Sequence, residues 1–314
     1  MRGKWAAMAG VALTCMLYTG CSAAAAMPEA ANTSLSMEAA EAESEIGIET
    51  EESGGIGAAA AALDAFCAQQ PGSFSVYLQD LSTGESYSYG ENTLYYGAST
   101  LKVPFALWLC GRADADAIDL DTGIDNVFYG QAALYAGTDL EAYTNSASIP
   151  ARTAMQAMLG DSDNNATTLL AAAWPAAFDT GFTEYVEGLG FSAAGTCSVT
   201  EDGGLAGELT VTELAAAMQA LYAYTESDAA NALFLRACFG QPGYKALYLP
   251  AGYHVVSKYG SWDGAFHDAA IVYAPHPYLL CCMTDQGDST VDFPPEPVAA
   301  MQTLGQMAWE CLNG

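Results

Sequence analysis

The sequence predicts an α+β fold in which strands from both ends of the chain meet in one antiparallel sheet. Three observations predict it: a strand–turn–strand signature early in the chain, a long helical middle, and strand texture that returns before a final helix. In order, residues 59–67 are Ala-rich and suit a helix. Residues 74–79 and 85–89 read as a hairpin around Ser82-Thr83-Gly84. From 100 to about 235, Ala, Leu and Met recur at helical spacing. Residues 253–258, 266–274 and 277–284 then read as strands, and 296–311 as a helix after a proline-rich stretch. The expectation is a five-stranded antiparallel sheet flanked by the terminal helices, plus an all-helical lobe, with a cleft between them.

The residues before this body divide in two. Arg2 and Lys4 precede a short apolar stretch, residues 5–17, which has the form of an export signal and is too short for a convincing membrane span. The Gly20-Cys21 pair behind it resembles a bacterial lipoprotein cleavage site, although Tyr18 stands where Leu is most common. Residues 1–21 are therefore read as a leader with Cys21 as the lipid-bearing residue; ordinary cleavage within residues 22–26 is the alternative. Residues 22–58 carry Glu38, Glu41, Glu43, Glu45, Glu49, Glu51 and Glu52 with no basic and no aromatic residue. Such a segment cannot bury enough apolar surface to offset its ordering entropy and reads as a disordered tether. Residues 59–314 form the remaining domain. The protein is expected to be exported, held at the membrane by lipid, and monomeric.

Composition narrows the function. The chain has 37 acidic residues against eight basic ones, a formal net charge of −29. Phosphate binding needs clustered Lys and Arg, so nucleic acid is not an expected partner. Beyond the leader the basic residues are Lys102, Arg112, Arg152, Arg236, Lys245 and Lys258. In so sparse a set, Lys102 and Lys258 draw notice because both lie in apolar surroundings. The nine cysteines include Cys15 and Cys21 at the N-terminus and an odd number beyond, with no C-x-x-C spacing. They read as small core hydrophobes, with one disulfide possible and no pairing assigned. No metal and no cofactor is expected.

Three short motifs carry chemistry. Ser99-Thr100-Leu101-Lys102 follows Gly97-Ala98, and Pro104 fits only the first turns of a helix, so Ser99 stands at a helix start. Positions three apart share a helix face, which brings the Lys102 amine toward the Ser99 hydroxyl. Burial lowers a lysine pKa, and a neutral amine beside a serine is a general base. The plainer reading is a helix cap with a snorkelling lysine. Ser162-Asp163-Asn164 lies between two helical runs, where Ser162 could relay a proton and Asn164 could orient substrate and lysine. Taken alone it reads as a capping loop. Lys258-Tyr259-Gly260-Ser261 closes a strand; Lys258 can face a substrate carboxylate, and Gly260 permits close backbone approach. The bland version is an exposed lysine at a strand end.

S-x-x-K, S-D-N and K-x-G in this order form the set found in class A β-lactamases and penicillin-binding proteins. On these motifs, and on residues 262–273, residues 60–314 resemble a divergent branch of the class A β-lactamase-like serine hydrolases. The resemblance implies an acyl-enzyme on Ser99, with Lys102 as base, Ser162 as relay and the N–H groups of Ser99 and Ser261 as oxyanion hole. It implies substrate contacts from Asn164, Lys258, Tyr259, Gly260, Ser261 and His267. Tyr259 replaces a usual small hydroxyl residue, and His267 stands about where the family has an arginine. Glu201 is the best counterpart of the glutamate that activates the deacylating water, and Glu208 the second. The expected substrate is a β-lactam amide. The alternatives are a D-Ala-D-Ala peptidase or transpeptidase acting on cell-wall peptide, and a non-catalytic lipoprotein binding or sensor module. A Ser-His-Asp triad lacks support: His254, His267 and His276 all lie late in the chain, and no G-x-S-x-G elbow exists.

Overall fold

A computed structural model describes residues 55–174, 181–199, 204–240, 245–288 and 290–314. The leader, Cys21, residues 22–54 and Glu201 lie outside the described residues. The first helix, α1, spans Gly55–Cys67 and so begins before the expected boundary at 59, because Ile56 is buried in the core beneath the sheet. Residues 55–58 thus belong to the folded body and not to the tether.

Five strands form the sheet: β1 (Phe74–Asp80), β2 (Ser86–Tyr89), β3 (His254–Trp262), β4 (Ala265–Tyr273) and β5 (Tyr278–Thr284). Their spatial order is β2-β1-β5-β4-β3, antiparallel throughout, so the two ends of the chain share one sheet as expected. The first hairpin is closed by the Asp80 carboxylate, which accepts from Ser82 N at 2.7 Å and Thr83 N at 3.3 Å. β5 is buried along its whole length, and β4 along all but its last residue. The reason is that both sheet faces are covered, which replaces alternation by a continuous apolar run. Ala269, Ile271, Leu279, Cys281 and Met283 face the helical lobe. Phe266, Ala270, Val272, Leu280 and Cys282 face α1 and the last helix, Pro295–Asn313. Cys67, Cys110, Cys197, Cys238, Cys281, Cys282 and Cys311 are all free thiols, and only Cys311 is partly exposed.

The lobe between the two strand groups holds α2 (Lys102–Asp114), α3 (Ala132–Tyr135), α4 (Ala151–Gly160), α5 (Asn164–Ala173), α6 (Gly181–Gly188), α7 (Val211–Thr225) and α8 (Ala232–Phe239). The last helix, α9, is Pro295–Asn313. Residues 210–213 start α7 with a capping box, Thr210 and Glu213 each satisfying the other's backbone N–H. Short pairings not expected from the sequence stitch the lobe together, among them Tyr95–Tyr96 with Glu208–Leu209.

One strand end departs from expectation. β3 does not stop at Lys258 but continues through Tyr259, Gly260 and Ser261 to Trp262. Its ladder with β4 holds it in place: Lys258 faces Ala269, Gly260 faces His267 and Trp262 faces Ala265. These partners lie in another segment, so local composition at 258–262 carries no trace of them.

Packing of α9 gives a direct test. A Cβ on the buried Gly305 would lie 2.5 Å from Tyr248 O and 2.8 Å from Tyr248 N. Inside an exposed helix, Gly→Ala gains roughly 1 kcal/mol. Here the neighbours are backbone and cannot swing aside, so overpacking, about 1–3 kcal/mol, outweighs that gain. Gly305→Ala is expected to lower the melting temperature in a thermal denaturation scan; a rise would mean that α9 is not seated on residue 248.

Candidate active site

Ser99 lies in a 3₁₀ turn, Ala98–Leu101, that runs straight into α2. Ala98 enters it with a left-handed φ of +46°, a conformation that costs a non-glycine residue of order 1 kcal/mol or more. Pro104 sits in the first turn of α2, where a missing N–H breaks no helical bond. Every residue from 102 to 110 is buried, whereas Ser99 is partly exposed. The turn therefore offers a reachable hydroxyl and places the lysine one turn further in.

Lys102 is 2% exposed. Its amine donates to Ser162 O at 2.6 Å, to Asn164 Oδ1 at 2.8 Å and to Ser162 Oγ at 3.3 Å. All three bonds go to the 162–164 segment; none goes to the Ser99 hydroxyl. Catalytic hydrogen bonds are often long in an empty site and tighten when substrate arrives. Burial pulls the Lys102 pKa down to about 7, against an opposing pull from the Asp163 charge.

The 162–164 segment joins α4 to α5. Asp163 is the N-cap of α5, accepting from Ala166 N at 2.9 Å, so the capping-loop reading holds for that residue. It does not hold for its neighbours. Ser162 takes a left-handed φ of +59°, which turns both its carbonyl and its hydroxyl toward Lys102. Asn164, exposed at the start of α5, turns its amide oxygen to the same amine.

Lys258 reaches this cluster from the sheet. It is also 2% exposed, and donates to Ser162 Oγ at 2.8 Å and to Tyr259 O at 2.9 Å. Its pKa is held well below the ordinary lysine value, first by burial and then by the Lys102 charge; Asp268 pulls the other way. The Tyr259 ring lies over this amine, 4.5 Å from Nζ to centroid, and packs against Phe293 at 5.3 Å. Lys258 is thus neither at a strand end nor exposed.

Gly260 closes the gap between sheet and helix. A Cβ there would lie 3.0 Å from Thr100 N and 3.1 Å from Ser99 N, so β3 touches the backbone that carries Ser99. Ser261, next along the strand, is partly exposed. Ser99, Lys102, Ser162, Asn164, Lys258, Gly260 and Ser261 therefore share one locality, although they come from three distant parts of the chain.

His267 does not join them. It is fully buried, with Thr284 N donating to Nδ1 at 3.3 Å. That leaves the proton on Nε2, which donates to Tyr96 O at 2.9 Å. With both nitrogens engaged and its pKa lowered to about 4 by burial, it is a neutral structural group and not a substrate contact. Glu208 is exposed on the short strand beside Tyr96. A cavity of about 730 Å³ opens at the other end of α2, against Asp114, Trp174 and Asn231, and includes none of these residues.

The left-handed turns at 98 and 162 escape sequence reading, since neither Ala nor Ser favours positive φ. The Asp163 cap is a local signal, but the action of its charge on Lys102 depends on a contact between distant segments.

Fold and site define the class: an antiparallel sheet and a helical lobe with a serine–lysine pair at their junction, the β-lactamase/transpeptidase fold. The chain belongs to the beta-lactamase enzyme family, whose model matches residues 58–312. Among solved structures, a beta lactamase from Xanthomonas campestris pv. campestris is similar at 22% identity, TM-score 0.63, over 81% of this chain and 97% of that one. A class A beta-lactamase from Mycobacterium abscessus matches at 19% identity, TM-score 0.64, over 79% and 97%. A mutant of PBP-A, solved as an acyl-enzyme complex with penicillin G, matches at 17% identity, TM-score 0.66, over 81% and 96%. At these identities the likeness establishes the fold. The comparison with curated proteins gives no match.

The Gly260 contact yields a second test. Gly260→Ala sets a methyl group against two backbone nitrogens, and is expected to cost about 1–3 kcal/mol of stability. It should also slow modification of Ser99, because the strand must move away from that residue. Wild-type melting temperature together with wild-type Ser99 reactivity would disprove the contact.

Proposed function

We propose that the chain is an exported serine hydrolase that forms an acyl-enzyme on Ser99 and hydrolyses β-lactam amides. The observation that carries this reading is the bonding of Lys102. A neutral amine has two N–H groups and one lone pair. Ser162 O and Asn164 Oδ1, at 2.6 and 2.8 Å, are acceptors only and take the two N–H groups. The lone pair is left for a hydroxyl hydrogen, and burial favours this uncharged form.

The steps follow. The Ser99 hydroxyl gives its proton to Lys102 as its oxygen bonds to the substrate carbonyl carbon. The carbonyl oxygen becomes negative and is held by the N–H groups of Ser99 and Ser261; one such donor is typically worth about 3 kcal/mol. The C–N bond then breaks. The leaving nitrogen takes the Ser162 hydroxyl proton, which Lys102 replaces across 3.3 Å. Lys258, 2.8 Å from the same oxygen, stabilises it while the proton is away. A water gives a proton to Glu201 as its oxygen bonds to the ester carbonyl carbon; the bond to Ser99 Oγ then breaks, Glu201 passes that proton to Ser99 Oγ, and the acid departs. Cleavage of the leader and lipidation at Cys21 would place the enzyme outside the membrane on the tether.

A second reading, a D-Ala-D-Ala-type peptidase or transpeptidase, has support of its own, since PBP-A matches with a TM-score of 0.66, as high as the β-lactamases do. Residue 201 separates the two. In a β-lactamase, Glu201→Gln should leave acylation intact and trap the acyl-enzyme; in a peptidase it should leave an already stable adduct unchanged. Time-resolved mass spectrometry of the intact protein with penicillin reads both steps.

Two further outcomes are expected. Ser99→Ala should abolish the penicillin adduct; persistence of the adduct would place the nucleophile elsewhere. Only the neutral form of Lys102 accepts the proton, so acylation should rise with pH through about 7 and level off above it. One such titration gives about a tenfold rise between pH 6 and pH 8. A stopped-flow pH profile that is flat over this range would exclude Lys102 as the base.

A further inference from the structure

We propose that the cavity at the C-terminal end of α2 binds an extended alkylammonium cation, one that carries N–H groups on an apolar chain. The proposal is independent of the acyl-transfer reading, because no residue of the Ser99 cluster lines this cavity.

The cavity volume, about 730 Å³, falls within the roughly 300–1,000 Å³ of small-molecule sites. Charge decides the class of molecule it suits. Asp114, Asp116, Asp119 and Asp121 line it, against a single cation, Arg152. Arg152 is already paired with Asp121 and lies over the Phe234 ring, 4.6 Å away. Three carboxylates are therefore left without a cationic partner among the described residues. Arg112, close by in the chain, lies 6.0 Å over the Trp108 ring and does not line the cavity. The net charge of −29 attracts cations to the surface as a whole.

An acidic wall alone would hold only a diffuse ion cloud; Asn231 supplies a specific contact. It lines the cavity, is 5% exposed, and donates from Nδ2 to Asp114 Oδ1 at 2.8 Å. Its Oδ1, also buried, meets no hydrogen-bond donor among the described residues. Asn231 is the N-cap of α8, yet its side chain makes no cap bond. An Asn in that position ordinarily gives this oxygen to an N–H of the first helical turn. Here the side chain is committed to Asp114 instead, and a buried acceptor without a donor is costly. A ligand N–H would satisfy it. Asp114 has room for another donor too: Tyr224 OH at 2.5 Å and Asn231 take one lone pair on each oxygen and leave the second.

The rest of the wall favours a chain over a bare ion. Among the described residues, no three carboxylates, imidazoles or thiols are grouped so as to hold a metal. Ile118 and Leu120 alternate with Asp119 and Asp121 in the lining, and Trp174 adds an aromatic ring. Spaced carboxylates with apolar surface among them suit ammonium groups spaced along a hydrocarbon.

The probe is 1,5-diaminopentane, titrated calorimetrically into the full chain at pH 7 in about 0.15 M salt, which screens diffuse attraction. One saturable site is expected, and glutarate, an anion of the same length, should not bind. The N-permethylated diamine keeps both charges but has no N–H, and should bind severalfold more weakly. Equal binding would overturn the Asn231 contact on which the proposal rests. Asp116→Asn with Asp119→Asn should weaken the diamine about fivefold or more. Asn keeps the shape of both side chains and is at ease with the left-handed φ of +54° at residue 116. A control pair, Glu91→Gln with Glu187→Gln, removes two exposed charges outside the cavity and should change affinity less than about twofold. Equal weakening by both pairs, or no saturable binding, would overturn the proposal and leave only general attraction of cations to an acidic surface.

Discussion

Two buried amines meet on one hydroxyl, and the rest of the site is arranged around that meeting. Lys102 and Lys258 both lie within hydrogen-bond reach of Ser162 Oγ, at 3.3 and 2.8 Å, so their nitrogens stand no more than about 6 Å apart. Two positive charges at that distance repel by roughly 3 kcal/mol even at a generous effective dielectric constant. Each amine is already penalised by burial. At least one must therefore give up its proton near neutral pH. The Lys258 pKa is lowered by burial and by the Lys102 charge; Lys102, whose pKa is lowered to about 7, is the one whose N–H groups are fixed by two acceptor-only oxygens, with its lone pair left toward the hydroxyls.

Holding that cluster together is a long-range task. Lys102 comes from the first helix of the lobe, Ser162 and Asn164 from a loop deeper in it, and Lys258 from an outer strand of the sheet. The sheet is rigid because β4 and β5 are covered on both faces, and β3 is registered against β4 residue by residue. Gly260 lets β3 press against the Ser99 backbone, fixing strand to helix at the point where chemistry is expected. The left-handed backbone at Ala98 and Ser162 is consistent with strain held by surrounding packing so that side chains aim correctly.

What the sequence revealed, and what it hid, divides by distance along the chain. The first hairpin, the terminal helices and the helical middle follow from local periodicity and turn residues, and appear within a few residues of where they were expected. The three motifs were visible because each is a short run of unusual residue types in a chain poor in cations. Their convergence followed from family resemblance and not from spacing. Other features depend on partners far away. β3 extends past Lys258 because residues 265–269 pair with it. Residues 55–58 joined the body because Ile56 finds a core built by the C-terminal half. His267 was expected in the cleft, but its ring points into the layer between Tyr96 and Thr284, where it is held neutral.

The claim that everything else leans on is that Lys102 is largely uncharged near neutral pH, and the scarcity of lysines makes it open to direct observation. NMR of protein labelled with 13C at the lysine ε position would show resonances from only Lys102, Lys245 and Lys258, plus Lys4 if the leader is retained. The account predicts that the resonance lost in Lys102→Met titrates with a midpoint of about 7. A midpoint for that resonance near the ordinary lysine value of about 10.4 would contradict it.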